Sequence, residues 1–389
     1  MRRPWPAVLF LAWSVVVSVA RAEPAAIVPG GQFPIAVWLQ SADNAASYRA
    51  AGINLYVGLS GETNAANLAA LDRAGVKLVT EQTPATLAFK GSPVIAGWMH
   101  DDEPDNAQSL PKEEGGGYGP PVTPEAVSKS YRRMKAADPS RPVLLNLGMG
   151  VAWDGWIGRG TRTNHPEDYP KYVQSADVAS FDIYPVTLDN PEAGGKLEYV
   201  GRGVRRLAQW AGPGRPVWNC IECTHINNAA RKPTPAQVRA EVWMSIINGS
   251  RGLIYFCHQF APTFREPALL DDPEMLAAVT AINAQVQALA PVLLSPPPER
   301  TDGAATTRPD GSRAAGPLAA TVRRHGGSVY VFVANESAEV HRDTFTVARA
   351  SADGSVEVLG ENRSLPLGPG GSFDDSFEPY SVHLYRIKE

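Results

Sequence analysis

Residues 94–105, VIAGWMHDDEPD, decide how the chain is read. A nearly continuous apolar run, 94–99, ends in four acids and a proline. Such a run is the pattern of a parallel strand covered on both faces. Carboxylates at the carboxyl end of that strand stand where barrels and open α/β sheets keep their chemistry. Pro104 stops the strand and fixes the chain directly behind Glu103. Glu103 is therefore read as a catalytic acid, and a partner is expected elsewhere in the chain.

Upstream of this stretch, residues 34–40, 53–58 and 76–81 read as strands one to three. Downstream, 142–147, 178–184, 217–222 and 253–258 read as strands five to eight. Helical patterns lie between them, at 45–51, 64–74, 84–90, 124–137, 167–175, 196–211, 235–248 and 272–289. Thr123 is a plausible N-cap for the fourth of these. Eight strands alternating with eight helices over about 265 residues match an α/β fold of the (β/α)8 TIM barrel type. A doubly wound open sheet is the alternative, but the chain has no Gly-rich nucleotide fingerprint. Two long polar loops, 104–122 and 148–166, follow strands four and five and are expected to overhang the mouth.

The pattern changes after the barrel. Residues 292–316 are rich in Pro, Gly and Thr and read as a linker. From 318 onward the period is two, with strand candidates at 318–323, 328–334, 344–348, 355–358 and 381–387. The expected organisation is a barrel over 23–291 and a small all-β sandwich over 317–389.

The 389 residues carry a net charge of −4, with 20% charged and 44% hydrophobic residues. That balance is ordinary for a soluble globular protein and gives no support for nucleic-acid binding. Residues 1–22 have a basic start (Arg2, Arg3), an apolar centre and a small-x-small ending, Ala20-Arg21-Ala22. This is the pattern of a cleavable export signal and implies a secreted or periplasmic protein. The apolar run is short for a membrane span, and no later segment is long enough for one. Cys220, Cys223 and Cys257 are the only cysteines. The lone C-x-x-C has no second pair to complete a zinc site. Cys223 and Cys257 end neighbouring strands, so a disulfide between them and buried free thiols are both open.

The partner for Glu103 is expected to be Glu222, which ends the apolar run of strand seven. Two carboxyl groups facing each other across a barrel mouth can break a glycosidic bond. One protonates the leaving oxygen while the other attacks the sugar carbon or activates water. Asp101 and Asp102 beside Glu103 would raise its pKa by like-charge repulsion.

Glu103 before a proline after strand four, with Glu222 after strand seven, resembles the clan A glycoside hydrolases. These retaining (β/α)8 enzymes keep an acid/base Glu after strand four, commonly as Asn-Glu-Pro, and a nucleophile Glu after strand seven. The resemblance covers residues 27–291 and implies β-glycosidic bonds cleaved with retention, Glu103 as acid/base, Glu222 as nucleophile and Tyr184 touching the nucleophile. Asp102 departs from the family's Asn, which hydrogen-bonds the sugar 2-hydroxyl, and brings charge to that contact.

Other residues reach the mouth by position. Trp38, Asn146, His225, His258 and Gln259 could bind hydroxyls, and Trp153 and Trp156 could stack on sugar faces. Loop packing is the competing reading of the two tryptophans, and a structural role that of the histidines. Asp182 is read as a hydrogen-bond acceptor beside the mouth. The substrate implied is an oligo- or polysaccharide, with no cofactor and no metal. Two rivals use the same fold: a metal-dependent hydrolase built on His100, Asp101, Asp102, His225 and His258, and a carbohydrate-binding barrel without catalysis. Strand one, 34–40, has no His-x-His to start a metal site.

Overall fold

The computed structural model describes residues 27–295, 316–347 and 354–389. The export signal expected at 1–22 lies outside them, as does most of the expected linker.

Eight parallel strands close into a barrel in sequence order. They are β1 (Ile35–Gln40), β2 (Leu55–Leu59), β3 (Lys77–Glu81), β4 (Ile95–Met99), β5 (Val143–Leu147), β6 (Val178–Phe181), β7 (Val217–Glu222) and β8 (Ser250–Phe256). Closure is made by β1 against β8, with Val37 opposite Tyr255. Alternation along each strand divides the apolar residues into two layers. Ala36, Trp38, Val57, Val79, Leu144, Trp218 and Ile254 fill the barrel interior. Ile35, Val37, Tyr56, Ile221 and Tyr255 face outward into the helix layer.

The helices are α1 (Ala45–Ala50), α2 (Ala65–Ala74), α3 (Pro84–Leu87), α4 (Pro124–Ala137), α5 (Tyr169–Tyr172), α6 (Glu198–Ala211), α7 (Pro235–Ile247), α8 (Pro273–Ala288) and α9 (Ala290–Leu293). Their ends follow local chemistry. Thr123 caps α4 by accepting from the Ala126 amide, with Pro124 in the first turn. Thr234 and Gln237 cap α7 reciprocally. Gly75, at φ 69°, ends α2 in the left-handed conformation.

Beyond the barrel lie a five-stranded antiparallel sheet and a two-stranded one. The first joins β9 (Leu318–His325), β10 (Ser328–Asn335), β12 (Ser355–Val358), β13 (Arg363–Pro366) and β15 (Val382–Lys388). The second joins β11 (His341–Thr346) and β14 (Ser372–Phe377). β13 and β14 were not among the strands expected from the sequence. Phe345, Phe373, Phe377 and Tyr385 pack between the sheets.

This domain sits on α6 and α7. Phe332, Ala334, Val382 and Leu384 belong to the same apolar core as Trp243 and Met244 of α7. The Trp243 and Phe332 rings are 5.6 Å apart. At the edge, the buried Glu336 carboxylate accepts from Asn248 at 2.6 Å and from Arg205. Glu336 fits only because position 201 is glycine, where a Cβ would stand 2.0 Å from its Oε1.

Candidate active site

β4 delivers the acids to the barrel mouth. The chain turns sharply after Met99, and Glu103 takes a left-handed φ of 43°. A non-glycine residue held there is strained, and strain of this kind is retained where the surroundings fix it. Asp105 does the fixing. Fully buried, it accepts from the Gly148 amide at 3.0 Å and the Tyr169 hydroxyl at 2.9 Å. Arg159, itself buried and paired to Asp168 at 3.0 Å, lies 3.9 Å from the same carboxylate. The loop after β4 is thereby clamped to the loop after β5. Gly148 is needed in this clamp because a Cβ there would stand 2.8 Å from Glu103 Oε1.

Glu103 is half-buried and faces Asp182, just beyond the end of β6. Their side chains are in hydrogen-bond contact, which requires that one of them carry a proton. Burial, then the negative charges of Asp102 and Asp105, push Glu103 up to about 7. Burial and the charge of Glu103 push Asp182 further, well above the carboxylate range. Asp182 is thus the protonated member and donates to Glu103. Asn106 donates a second bond to Glu103 at 2.8 Å and is held in turn by the Trp156 indole at 3.0 Å.

Asp102 is open to solvent in the concave mouth yet surrounded by protein on most sides. This partial desolvation raises it to about 6, opposed by a 3.0 Å bond from Asn146. Asn146 is fixed by Ser180, which donates to its carbonyl at 2.8 Å. Tyr184 lies beside these acids, its ring 5.2 Å from Phe256. Its hydroxyl rests against the Cys220 thiol and has no oxygen or nitrogen partner.

Glu222 is not brought to this cluster. It is wholly buried, and its carboxylate accepts from the Val186 amide at 2.6 Å, the Thr187 amide at 2.9 Å and the Thr187 hydroxyl at 2.8 Å. Behind it stands Glu241 of α7, also wholly buried, in side-chain contact with Glu222. Neither Glu241 oxygen finds a donor. A protonated Glu241 donating to an ionised Glu222 satisfies both groups. Burial accordingly raises Glu241 well above the carboxylate range.

The other expected residues divide. Asn146, Tyr184 and Trp156 join the cluster. Trp38 is sealed in the barrel interior and Trp153 in the packing of the β5 loop, where both are at most 4% exposed. Neither presents a face to a ligand, so for Trp153 the loop-packing reading describes its place. His225 is held by the carbonyls of Asn228 and Arg231, each 3.0 Å from Nδ1. His258 is buried, and burial lowers its pKa, so the ring is neutral near pH 7. Gln259 folds back onto the Thr263 carbonyl at 3.3 Å. His100 is bonded to the Ser175 carbonyl at 2.9 Å, away from the other histidines. Among the described residues, no three His, Cys, Asp or Glu are grouped to hold a metal ion. The three cysteines are free and buried, with Cys223 and Cys257 in contact. Sequence reasoning missed the proton-sharing role of Asp182. Its signal was the acid in SFDIY, ending an apolar run at the mouth as Glu103 does.

No family model matches the sequence, and no curated protein matches it. Solved structures do resemble the fold. Alpha-galactosidase I from Mortierella vinacea superposes with a TM-score of 0.54 at 11% identity, over 94% of this chain and 98% of that one. A Bacteroides fragilis protein described as a candidate alpha-galactosidase gives 0.54 at 12% identity, over 92% and 80%. An alpha-amylase from Geobacillus thermoleovorans gives 0.50 at 9% identity, over 92% and 99%. At these identities the likeness is one of architecture: the chain is a (β/α)8 barrel carrying a small C-terminal β domain.

Proposed function

We propose that this protein is a glycoside hydrolase whose proton donor is Glu103. The observation that carries the reading is the contact between Glu103 and Asp182 at the mouth of the barrel, where Asp182 keeps its proton and Glu103 takes up a second one as pH falls through about 7. A carboxyl group titrating at about 7 is matched to giving a proton and taking it back at neutral pH. Glu103 hands its proton to the glycosidic oxygen as the bond to the sugar carbon breaks. Asp182, protonated behind it, steadies the carboxylate that is left. The solved neighbours named for glycosidase activity support the class of reaction.

The second carboxylate is assigned to Asp102. It is ionised near neutrality, open to the mouth and oriented by Asn146. Glu222, the nucleophile implied by the clan A resemblance, reaches a sugar only if the Val186–Thr187 segment gives up three hydrogen bonds. β-Linkage and retention follow from that resemblance, whereas the neighbours carry alpha- names, so both anomers belong in the test. The expected substrate is an oligo- or polysaccharide met outside the cytoplasm.

The deciding experiment screens α- and β-aryl glycosides for turnover, then treats the enzyme with the matching activated fluoroglycoside and maps the labelled residue. Label on Asp102 supports the assignment. Label on Glu222 returns the nucleophile to β7, and no turnover of any glycoside overturns the reading.

A further inference from the structure

One feature of the mouth is not used by the acids. A file of rings starts beside the carboxyl cluster and runs out into solvent along the loop after β8. Tyr184 touches Phe256 at 5.2 Å, and Phe256 touches His258 at 5.2 Å and Phe260 at 6.2 Å. The His258 ring lies nearly parallel to Phe260, 9° apart at 5.9 Å, and Phe264 follows Phe260 at 5.7 Å. Exposure rises outward: Phe260 is 45% and Phe264 61% exposed. Two large apolar rings left in water are a cost unless something covers them.

The loop is built to hold them. Phe260 and Ala261 both donate their amides to the Ile226 carbonyl, at 2.7 and 3.1 Å. Ile226 is a β-branched residue at φ 50°, a strained backbone that aims this carbonyl at the loop. Gln259 and Arg265 exchange backbone bonds at 2.9 and 2.8 Å, closing the turn that carries Phe264. Thr224 donates to the His258 carbonyl at 2.5 Å. The rings are fixed before any ligand arrives, so little ordering is left to do on binding. His258 backs the inner end of the file. It is 7% exposed, with its Nε2 3.5 Å from the Gln40 side-chain amide.

We propose that Phe260 and Phe264, backed by His258, form a stacking platform for the sugar units of a glycan chain that extends outward from the bond held at the carboxyl cluster. This rests on the glycosidase reading for the identity of the cluster. The occupant follows from shape and continuity. The file is one ring wide and continuous with the acids. Pyranose units offer apolar C–H faces to the rings and hydroxyls to the carboxyl groups at the inner end. A protein partner would need a broad apolar surface rather than a single file.

The test is calorimetric titration of the whole protein with disaccharides and hexasaccharides of the β-1,4-gluco, β-1,4-xylo, β-1,4-manno and α-1,4-gluco series, with hydrolysis followed in parallel. At least one series is expected to bind more tightly as the hexasaccharide than as the disaccharide. Phe264→Ala should lower hexasaccharide affinity by on the order of tenfold, and Phe260→Ala with Phe264→Ala should remove most of the length dependence. Phe264→Trp should retain it, because a larger aromatic face still stacks. Length dependence that survives the double substitution overturns the platform, as does equal loss in Phe264→Trp and Phe264→Ala. Wild-type affinity that does not grow with length, or no binding at all, also overturns it. Length-dependent binding that the double substitution removes, without hydrolysis of any sugar, upholds the platform and sinks the glycosidase reading instead.

Discussion

Two carboxyl pairs sit at strand ends of the same barrel, and each holds a proton. Glu103 and Asp182 share theirs at an open mouth beside a solvent-exposed aspartate. Glu222 and Glu241 share theirs in a sealed layer between β7 and α7. The difference lies in what surrounds the ionised member. Glu222 has three donors from one loop, which stabilise the charge and leave it little to offer a substrate. Glu103 has one donor from Asn106 besides Asp182, and a face toward the mouth. A buried acid pair is thus not in itself a catalytic one. The sealed pair is a structural joint, and the open pair is the one we propose as reactive.

The largest effect that can break this contrast is on turnover. Glu103→Gln should lower kcat/KM on a cleaved glycoside by on the order of a thousandfold or more with thermal stability held or raised. The same loss from Glu222→Gln, with unchanged stability, would exchange the roles of the two pairs. Next comes stability. Glu222→Ala leaves three buried donors without an acceptor, which should cost about 3 kcal/mol or more in denaturant unfolding.

The pH dependence of stability sharpens the contrast further. Glu241 keeps its proton in the folded protein well above the value of 4.5 at which an unfolded glutamate releases it. The folded state then binds more protons than the unfolded one, so stability falls as pH rises above that value. Each retained proton contributes about 1.4 kcal/mol per pH unit. Glu241→Gln should remove one proton's worth of this slope, seen in melts at a series of pH values between 5 and 8. A slope that stays the same would mean Glu241 is not the protonated member.

The smallest expected effect is on the activity profile. With Asp102 ionising at about 6 and Glu103 losing its proton at about 7, kcat/KM should form a narrow bell between those values. Asp182→Ala removes a hydrogen bond that favours the ionised form of Glu103, so the alkaline limb should move to higher pH. A limb that moves downward, or stays in place, would uncouple Asp182 from the acid.

Much of this architecture is legible in the sequence because parallel barrel strands are apolar on both faces. Runs such as VLLNL and VWNCIE have few other uses. The strands that escaped notice, RSLP and SFDDSF, are short or acidic on one face, and their place comes from partners distant in sequence. β6 ends at Phe181, short of the expected Tyr184, which leaves Asp182 on the turn beyond the strand. In the site, Glu103 could be found because proline and strand end mark it locally. The sealing of Glu222 could not, since it depends on Glu241 inside an otherwise apolar helix and on two backbone amides of another loop. The phenylalanines of FCHQFAPTF recur every four residues, but in a loop that spacing predicts no shared face. The bonds to Ile226 and those between Gln259 and Arg265 align them.

The core that joins α7 to the β domain has a consequence for how the chain comes apart. Phe332 and Leu384 belong to one apolar cluster with the helix layer of the barrel, and Glu336 is locked over Gly201. The two units therefore have no separate melting temperatures to display. Calorimetry should give a single heat-absorption peak, and a chain cut before residue 317 should expose Trp243 and precipitate instead of yielding a free barrel.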